Sequence, residues 1–189
     1  MIHLSGSLVY KDYLNKDFQM YAKSIILSKE SKLKESLKLL NDFIKINPNN
    51  YFLYETKGDI LYAGGYLKEA MLFYNKSIQK NPNNNYIKKR VFDIKFSLIE
   101  KKNINDSLKL FQEYIFLIKL YSNNSDLKNK YKELALNAKK FYWVEYFAIE
   151  ESYFNKKIKQ DEFIQKITLI KNQTKDLDLI NLINKDINS

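Results

Sequence analysis

The sequence has 189 residues, no cysteine and a single histidine, His3. The lack of cysteine excludes disulfides, thiolate nucleophiles and cysteine-ligated zinc. One histidine leaves few side chains that titrate near neutral pH or bind transition metals. This composition argues against an enzyme, and we expect no catalytic, cofactor-binding or metal-binding residues. The 45% share of hydrophobic residues predicts a packed core.

The net charge of +10 raises the possibility of a nucleic-acid or membrane-surface partner. However, Arg90 is the only arginine among 32 basic residues. Base and phosphate recognition favours the planar guanidinium, which lysine does not replace well. Asn, Ile, Lys and Tyr have AT-rich codons and supply almost half of the chain, so the lysine excess is partly a matter of codon bias. We therefore expect a protein partner and keep a lysine-rich subunit of a nucleic-acid or ribonucleoprotein assembly as an alternative.

No segment of the sequence is typical of a membrane span or a secretion signal. The longest apolar run, residues 114–118, ends at Lys119 and is far shorter than the ~20 residues that a spanning helix needs. The first residues lack the basic start, apolar stretch and cleavage site of a signal peptide. We expect a cytoplasmic protein as the sequence is written. A periplasmic or membrane-associated location is expected if the chain is a fragment of a longer protein of the kind considered below.

An internal repeat of 34 residues organises the first two thirds of the chain. The string Asn47-Pro48-Asn49-Asn50 recurs as Asn81-Pro82-Asn83-Asn84, and these two strings contain both prolines. The preceding residues match as well, and a third copy follows with three extra residues. The matched sets are Leu27, Ser36 and Leu40, then Leu61, Ala70 and Tyr74, then Leu98, Ser107 and Phe111.

The period and pattern resemble the tetratricopeptide repeat (TPR), a helix-turn-helix unit. The copy from Tyr51 to Asn84 fits best. Its matching positions are Tyr54, Gly58, Tyr62, Ala70, Tyr74 and Pro82, and Pro48 closes the copy before it. Gly58 and Ala70 are small enough for two antiparallel helices to approach closely, and Pro82 ends a helix because it has no N–H to donate. The outer copies depart from the pattern, with Ser24 and Lys95 at the glycine and Phe43 at a small site.

We predict an all-α fold without strands. The predicted helices are 17–29, 32–46, 51–63, 67–80, 86–101, 104–121, 126–138, 141–155, 160–172 and 176–187. Because such repeats bury their apolar faces only against neighbours, we expect a right-handed α-solenoid. The expected domains are an N-terminal segment (1–16), three tetratricopeptide-like repeats (17–121) and a C-terminal helical region that continues the solenoid (122–189).

A second resemblance concerns the ancestry of the chain. Residues Ala148 to Lys157 are similar to the A-x-A-E-x-x-Y segment in the helical tails of BepA-like HExxH zinc metallopeptidases. Residues Tyr51 to Leu61 are similar to an F-x-E-L-x-G-x-I-L stretch of the same tails, which contain TPRs. No HExxH is present, since His3 is the only histidine. The resemblance therefore implies the non-catalytic TPR part of a split or truncated metallopeptidase as an alternative function.

Three side-chain clusters have both a functional and a structural interpretation, and we favour the structural one in each. The clusters are the carboxylates Glu145, Glu150 and Glu151, the aromatic residues Phe141, Tyr142, Trp143, Tyr146 and Phe147, and the lysines Lys156, Lys157 and Lys159. The carboxylates could serve metal or acid–base chemistry, but a solvated helix face is favoured. The aromatic residues could stack on bases, but a helix–helix seam is favoured. The lysines could bind phosphates or acidic lipids, but a solvated loop is favoured.

The TPR resemblance also implies a binding surface. In that family the first helix of each pair lines the concave face through the second, fifth, ninth and twelfth positions. Counted from Asp17, Tyr51 and Lys88, these positions hold Phe18, Tyr21, Ile25 and Ser28, then Phe52, Glu55, Asp59 and Tyr62, then Lys89, Phe92, Phe96 and Ile99. We expect the partner-binding residues to be Phe18, Tyr21, Ile25, Phe52, Tyr62, Phe92 and Phe96.

The character of this surface predicts the kind of partner. Relatives that clamp a terminal carboxylate carry lysine and asparagine at several of these positions, whereas Tyr21 and Ile25 occupy two of them here. An aromatic and apolar face is suited to a helical or extended segment of another protein. The predicted function is a protein-interaction adaptor or scaffold that needs no cofactor. Whether the groove is open or filled by the C-terminal helices stays an open alternative.

Overall fold

The structure, a computed structural model, describes residues 16–99, 103–121 and 123–188. Helices dominate this part of the chain, and it contains no strand. The helices are α1 (Lys16–Lys29), α2 (Leu33–Ile46), α3 (Tyr51–Ala63), α4 (Leu67–Lys80), α5 (Asn85–Leu98), α6 (Ile104–Tyr114), α7 (Phe116–Leu120), α8 (Ser125–Asn137), α9 (Phe141–Phe154), α10 (Gln160–Gln173) and α11 (Leu177–Ile187). The all-α prediction is confirmed, and most predicted helix ends lie within one residue of those observed. The right-handedness of a solenoid stays a prediction.

Two predicted helices differ from the structure. The helix predicted to reach residue 101 ends at Leu98, and the helix predicted over 104–121 is divided at Ile115. Ile115 keeps helical angles (φ −56°, ψ −28°), and the N–H of Ile118 donates to its carbonyl at 3.2 Å. This hydrogen bond spans three residues, so the chain tightens locally between α6 and α7.

The chain forms two compact units, Met1–Ile94 and Lys95–Ser189, with the boundary inside α5. In the first unit α1 packs against α2, α2 against α3, and α3 against α4. In the second unit α8 packs against α6 and α9, and α10 packs against α9 and α11. The boundary falls inside the third predicted repeat.

The same tight turn joins the two helices of three hairpins. Ser31, Gly65 and Lys139 adopt positive φ angles of 62°, 80° and 56° between α1 and α2, α3 and α4, and α8 and α9. In each turn the next residue donates its N–H to the carbonyl five residues before it. These bonds are Lys32 to Leu27, Tyr66 to Leu61 and Lys140 to Ala135, at 2.8–2.9 Å. This Schellman arrangement ends one helix and starts the next almost at once.

The small positions of the repeat point inward in all three copies. Ser36, Ala70 and Ser107 are each fully buried. The large residues matched four positions later are also buried, and they are Leu40, Tyr74 and Phe111. These second helices of the pairs therefore follow the spacing read from the sequence.

The first helix of the third pair has a different register from the predicted one. Helix α5 begins at Asn85, 34 residues after Tyr51, whereas α6 begins at Ile104, 37 residues after Leu67. The three extra residues therefore lie after the start of α5, not before it. One of them lengthens α5 relative to α3, and two lengthen the connection to α6. The match of Leu61 with Leu98 is wrong, since Leu98 is 45% exposed, and Phe92 rather than Lys95 stands at the position of Gly58.

Helices α3 and α4 meet at Gly58. A Cβ atom at this position would lie 2.5 Å from the Tyr74 ring, a distance that real Cβ contacts do not show. The ring therefore occupies the space that a side chain would take. In the α1–α2 pair the contact is polar, because the hydroxyl of Ser36 donates to the carbonyl of Ser24 at 2.7 Å. Tyr54 secures the preceding loop by donating its hydroxyl to the carbonyl of Pro48 at 2.9 Å.

Candidate functional site

The candidate site lies in the first unit, on side chains carried by α1, α3 and α5. We call it the first-helix face and define it by Tyr21, Phe52, Asp59, Tyr62, Tyr86 and Arg90. At one end the Tyr21 and Phe52 rings are 5.6 Å apart and tilted by 44°. Phe52 is 47% exposed, whereas Tyr21 is half-buried. Two successive first helices thus share an aromatic contact that solvent reaches.

Arg90 lies at the other end between two tyrosines. Its guanidinium lies 5.6 Å from the centre of the Tyr62 ring and 5.3 Å from that of Tyr86. Its Nε and Nη2 donate to the Tyr86 hydroxyl at 3.2 and 2.7 Å. Burial opposes the charge of Arg90, but the hydrogen bond to Tyr86 and the nearby Tyr74 and Asp59 raise its pKa overall. The only arginine of the chain is thus a fixed cation beside exposed rings.

Asp59 connects this cation to the packing of α3 on α4. Its Oδ1 lies 3.9 Å from Nη2 of Arg90 and accepts a hydrogen bond of 2.7 Å from the hydroxyl of Tyr74. Burial and the Asp59 carboxylate raise the pKa of Tyr74, so this hydroxyl remains a donor. The side chain that fills the space above Gly58 therefore also orients the acid that faces Arg90.

Glu55 is buried beside this face and has a structural role. It accepts hydrogen bonds of 2.9 Å from Ser77 and 2.5 Å from Asn84. Burial raises its pKa, and the two hydrogen bonds only partly oppose this. Asn84 also caps α5 by accepting from the N–H of Ile87 at 3.2 Å. Glu55 therefore joins three helices and leaves the face largely aromatic.

The predicted partner-binding residues divide into accessible and inaccessible ones. Phe52 and Tyr62 are exposed, and Tyr21 and Ile25 are half-buried. Phe92 is fully buried and Phe96 is 9% exposed, so neither is open to a partner. The side chain of Phe18 lies outside the described residues.

The physical reason for the burial of Phe92 is the helix register described above. Counted from Asn85, the four positions hold Tyr86, Lys89, Asp93 and Phe96, so the start at Lys88 is wrong. Sequence reasoning therefore missed Tyr86 and Arg90. The two capping asparagines could have indicated the correct register. Asn50 and Asn84 each accept from a backbone N–H of the helix that follows, so α5 begins directly after Asn84 and Tyr86 is its second residue.

The carboxylate cluster of the second unit is split. Glu145 and Glu151 are exposed, but Glu150 is buried, so the expected solvated face is wrong for Glu150. Its Oε1 accepts from the Nζ of Lys128 at 2.8 Å. Burial raises the pKa of Glu150, although Lys128 opposes the shift. Among the residues that the structure describes, no group of three acidic or histidine side chains could hold a metal ion.

The aromatic cluster forms the predicted seam through three of its five members. Trp143, Tyr146 and Phe147 are buried, whereas Phe141 and Tyr142 are exposed. The polar atoms of the seam are satisfied, because Nε1 of Trp143 donates to Asp176 at 3.0 Å and the Tyr146 hydroxyl donates to Asp186 at 2.5 Å. The lysine cluster is exposed, as expected of a solvated loop; its members are Lys156, Lys157 and Lys159.

Comparisons with known proteins add no family to this geometry. No protein-family model and no curated protein gives a significant match to the chain. The TPR and metallopeptidase-tail resemblances thus stay predictions. In the described ranges, every helix is too short or too polar to cross a membrane.

Proposed function

We propose that the protein is an interaction adaptor that binds a segment of another protein on the first-helix face. It needs no cofactor and performs no catalysis. The proposal is supported by the side chains that this face offers to solvent. Phe52, Tyr62 and Tyr86 are 47%, 40% and 55% exposed, although aromatic rings of this size favour burial.

The observation that carries the proposal is the fixed position of Arg90. Tyrosine and arginine are enriched among the residues that dominate protein–protein binding energy. Arg90 is already held by Tyr86 and Asp59, so a partner loses little side-chain entropy in meeting it. A fixed cation flanked by two rings is a suitable anchor for a carboxylate or carbonyl on an otherwise apolar segment.

The expected conformation of the bound segment follows from the placement of these groups on successive first helices. The Tyr21–Phe52 contact and the Tyr62–Arg90–Tyr86 cluster involve successive first helices. A helical or extended segment can present apolar side chains to the rings and one polar group to Arg90. Binding through these two contacts does not require the protein to catalyse a reaction.

Affinity capture with matched variants tests this function. The full chain is immobilised, and bound proteins from the source cells are compared between the parent, Tyr62→Ala/Tyr86→Ala and Arg90→Lys. Arg90→Lys keeps the charge but loses the planar group that lies against the rings. We expect the double variant to retain at least about tenfold less partner than the parent protein. Arg90→Lys should retain an intermediate amount.

Exposed residues outside the face provide the control. Tyr66→Ala and Leu72→Ala remove side chains that are also exposed in the first unit and should retain the partner. All variants should melt as the parent does. Equal retention by the face variants and the controls would contradict the proposal. Retention abolished by nuclease in every variant would favour the nucleic-acid alternative.

A further inference from the structure

The second unit has a groove of about 630 Å³ at the start of α9. We call it the α9 groove. One wall is the α8–α9 turn and the first residues of α9, including Phe141, Tyr142 and Trp143. The other wall is the last residue of α10 and the segment that follows it, from Gln173 to Asp176. The recess is large enough to take a bulky apolar side chain together with part of its backbone.

Its edges carry the most exposed large apolar side chains in the described part of the chain. Phe141 is 64% exposed, and Leu177, directly after the second wall, is 73% exposed. Both are first residues of their helices, α9 and α11. Exposed single apolar residues are common, but two beside a recess mark a surface that can be covered with a gain in free energy.

The unpaired charges around the groove are positive. Lys139 and Lys175 are exposed and form no ion pair with any described residue. The acid in the wall, Asp176, already has its partners, because it accepts hydrogen bonds from Trp143 at 3.0 Å and from Lys140 at 3.2 Å. Burial opposes the charge of Asp176, but these donors and the N–H of Leu179 hold its pKa below the ordinary value. The two lysines are therefore the uncompensated charges of the groove.

We propose that the α9 groove binds an acidic, amphipathic segment of a protein. One apolar side chain enters the recess against Phe141 and Tyr142, and carboxylates on either side face Lys139 and Lys175. The complementarity of charge selects an acidic partner. The two-walled recess favours a peptide over a lipid surface, because its walls can contact an inserted side chain from two sides. This site is separate from the first-helix face, and its failure would leave the proposed function unaffected.

Trp143 makes binding measurable without a label. It is the only tryptophan of the chain and lies in the wall of the groove. The probe is an N-acetylated peptide with the sequence Asp-Glu-Phe-Leu-Glu-Asp, and the control peptide has lysine in place of its four acids. We expect the acidic peptide to change the Trp143 emission with a saturation curve below about 1 mM. The lysine peptide should leave it unchanged.

Matched variants locate the binding. Lys139→Glu/Lys175→Glu should weaken binding at least about fivefold, and Phe141→Ser should weaken it by a similar factor. Lys156→Glu/Lys157→Glu is the control, because Lys156 is also an exposed lysine with a φ of 56° in a helix–helix turn. The control variant should bind as the parent does, and its melting temperature should match that of the test variant.

Three results would overturn the inference. The first is that the Trp143 emission does not change up to about 1 mM peptide. The second is that the test and control lysine variants weaken peptide binding equally. The third is that Phe141→Ser binds the peptide as the parent does. Phosphatidylserine vesicles are titrated in parallel with phosphatidylcholine vesicles. Binding to the anionic vesicles without binding of the peptide would assign the groove to a lipid surface instead.

Discussion

The two units share a helix-pair turn but pack their helices in different ways. In the first unit α3 meets α4 where Gly58 has no side chain and the Tyr74 ring fills the space. In the second unit α8 and α9 have the same turn and the same lengths, 13 and 14 residues, as α3 and α4. The buried centre of the second unit, however, is Trp143 of α9, which packs edge-on against Phe111 of α6 with ring centres 5.2 Å apart.

This difference shows that the turn determines the helix ends, whereas the side chains determine how the helices pack. The backbone hydrogen bonds of the turn set where one helix ends and the next begins. The side chains between packed helices then decide the packing. In the first unit α3 approaches α4 at Gly58, whereas in the second unit large aromatic rings of α6 and α9 pack together. The second arrangement also needs buried polar partners, and Asp176 and Asp186 provide them for Trp143 and Tyr146.

The largest expected effect is the loss of the tryptophan at the centre of the second unit. Trp143→Ala removes the largest fully buried side chain and leaves Asp176 without one of its donors. We expect a loss of about 3–5 kcal/mol in the free energy of unfolding, measured by urea denaturation. Trp143→Phe should recover part of this loss. A loss below about 1 kcal/mol would show that Trp143 is not central to the packing.

Gly58→Ala should have the next largest effect, in the first unit. Alanine favours a helix by about 1 kcal/mol over glycine, yet its Cβ would collide with the Tyr74 ring. We expect a net loss of about 1–3 kcal/mol in the free energy of unfolding. In the Tyr74→Leu background the same change should be less harmful, and a double-mutant cycle measures the difference. A stabilised Gly58→Ala protein would contradict the close approach of α3 and α4.

Two serines at equivalent repeat positions should respond differently to alanine. Ser36 donates to the carbonyl of Ser24, whereas the buried hydroxyl of Ser107 makes no hydrogen bond with the described residues. We expect Ser36→Ala to cost about 1 kcal/mol of unfolding free energy and Ser107→Ala to be neutral or stabilising. Thermal melts of the two variants decide this. The reverse order would contradict the assigned packing of both positions.

The smallest expected effect is a change in the pH dependence of stability. Burial raises the pKa of Glu150 above its ordinary value of 4.5, so above pH 4.5 this carboxyl keeps its proton more in the folded than in the unfolded protein. The contribution of Glu150 to stability should therefore fall as the pH rises through its raised pKa. Glu150→Gln should reduce this fall between mildly acidic and neutral pH. The comparison variant is Glu151→Gln, one residue along α9 and exposed. Equal slopes of the unfolding free energy against pH in both variants would contradict this role of Glu150.

The sequence predicted the fold well where a single local pattern decides the structure. The asparagine–proline strings and the small residues Ala70 and Gly58 predicted the helix ends and the inward positions of the first unit. The break at Ile115 was not predictable, because its angles remain helical. The register of α5 was misread because three extra residues can be placed on either side of a helix.

The candidate site was less predictable than the fold. Phe52 and Tyr62 are accessible as expected, but Tyr86 and Arg90 depend on the corrected register of α5. The burial of Glu150 could not be read from adjacent acids, since it depends on its pairing with Lys128, 22 residues earlier in sequence. Tertiary contacts of this kind leave no periodic trace in the sequence.

The most direct test of the central claim is a photo-crosslink from the first-helix face. Phe52→p-benzoylphenylalanine replaces an exposed ring of this face and keeps the Tyr86 hydroxyl that holds Arg90, and Leu72→p-benzoylphenylalanine places the reactive group at an exposed position on α4. We predict that irradiation in the source cells links a partner protein to position 52 but not to position 72, and that Arg90→Lys weakens the link. Equal crosslinking from both positions, or no protein crosslink from position 52, would contradict the proposed function.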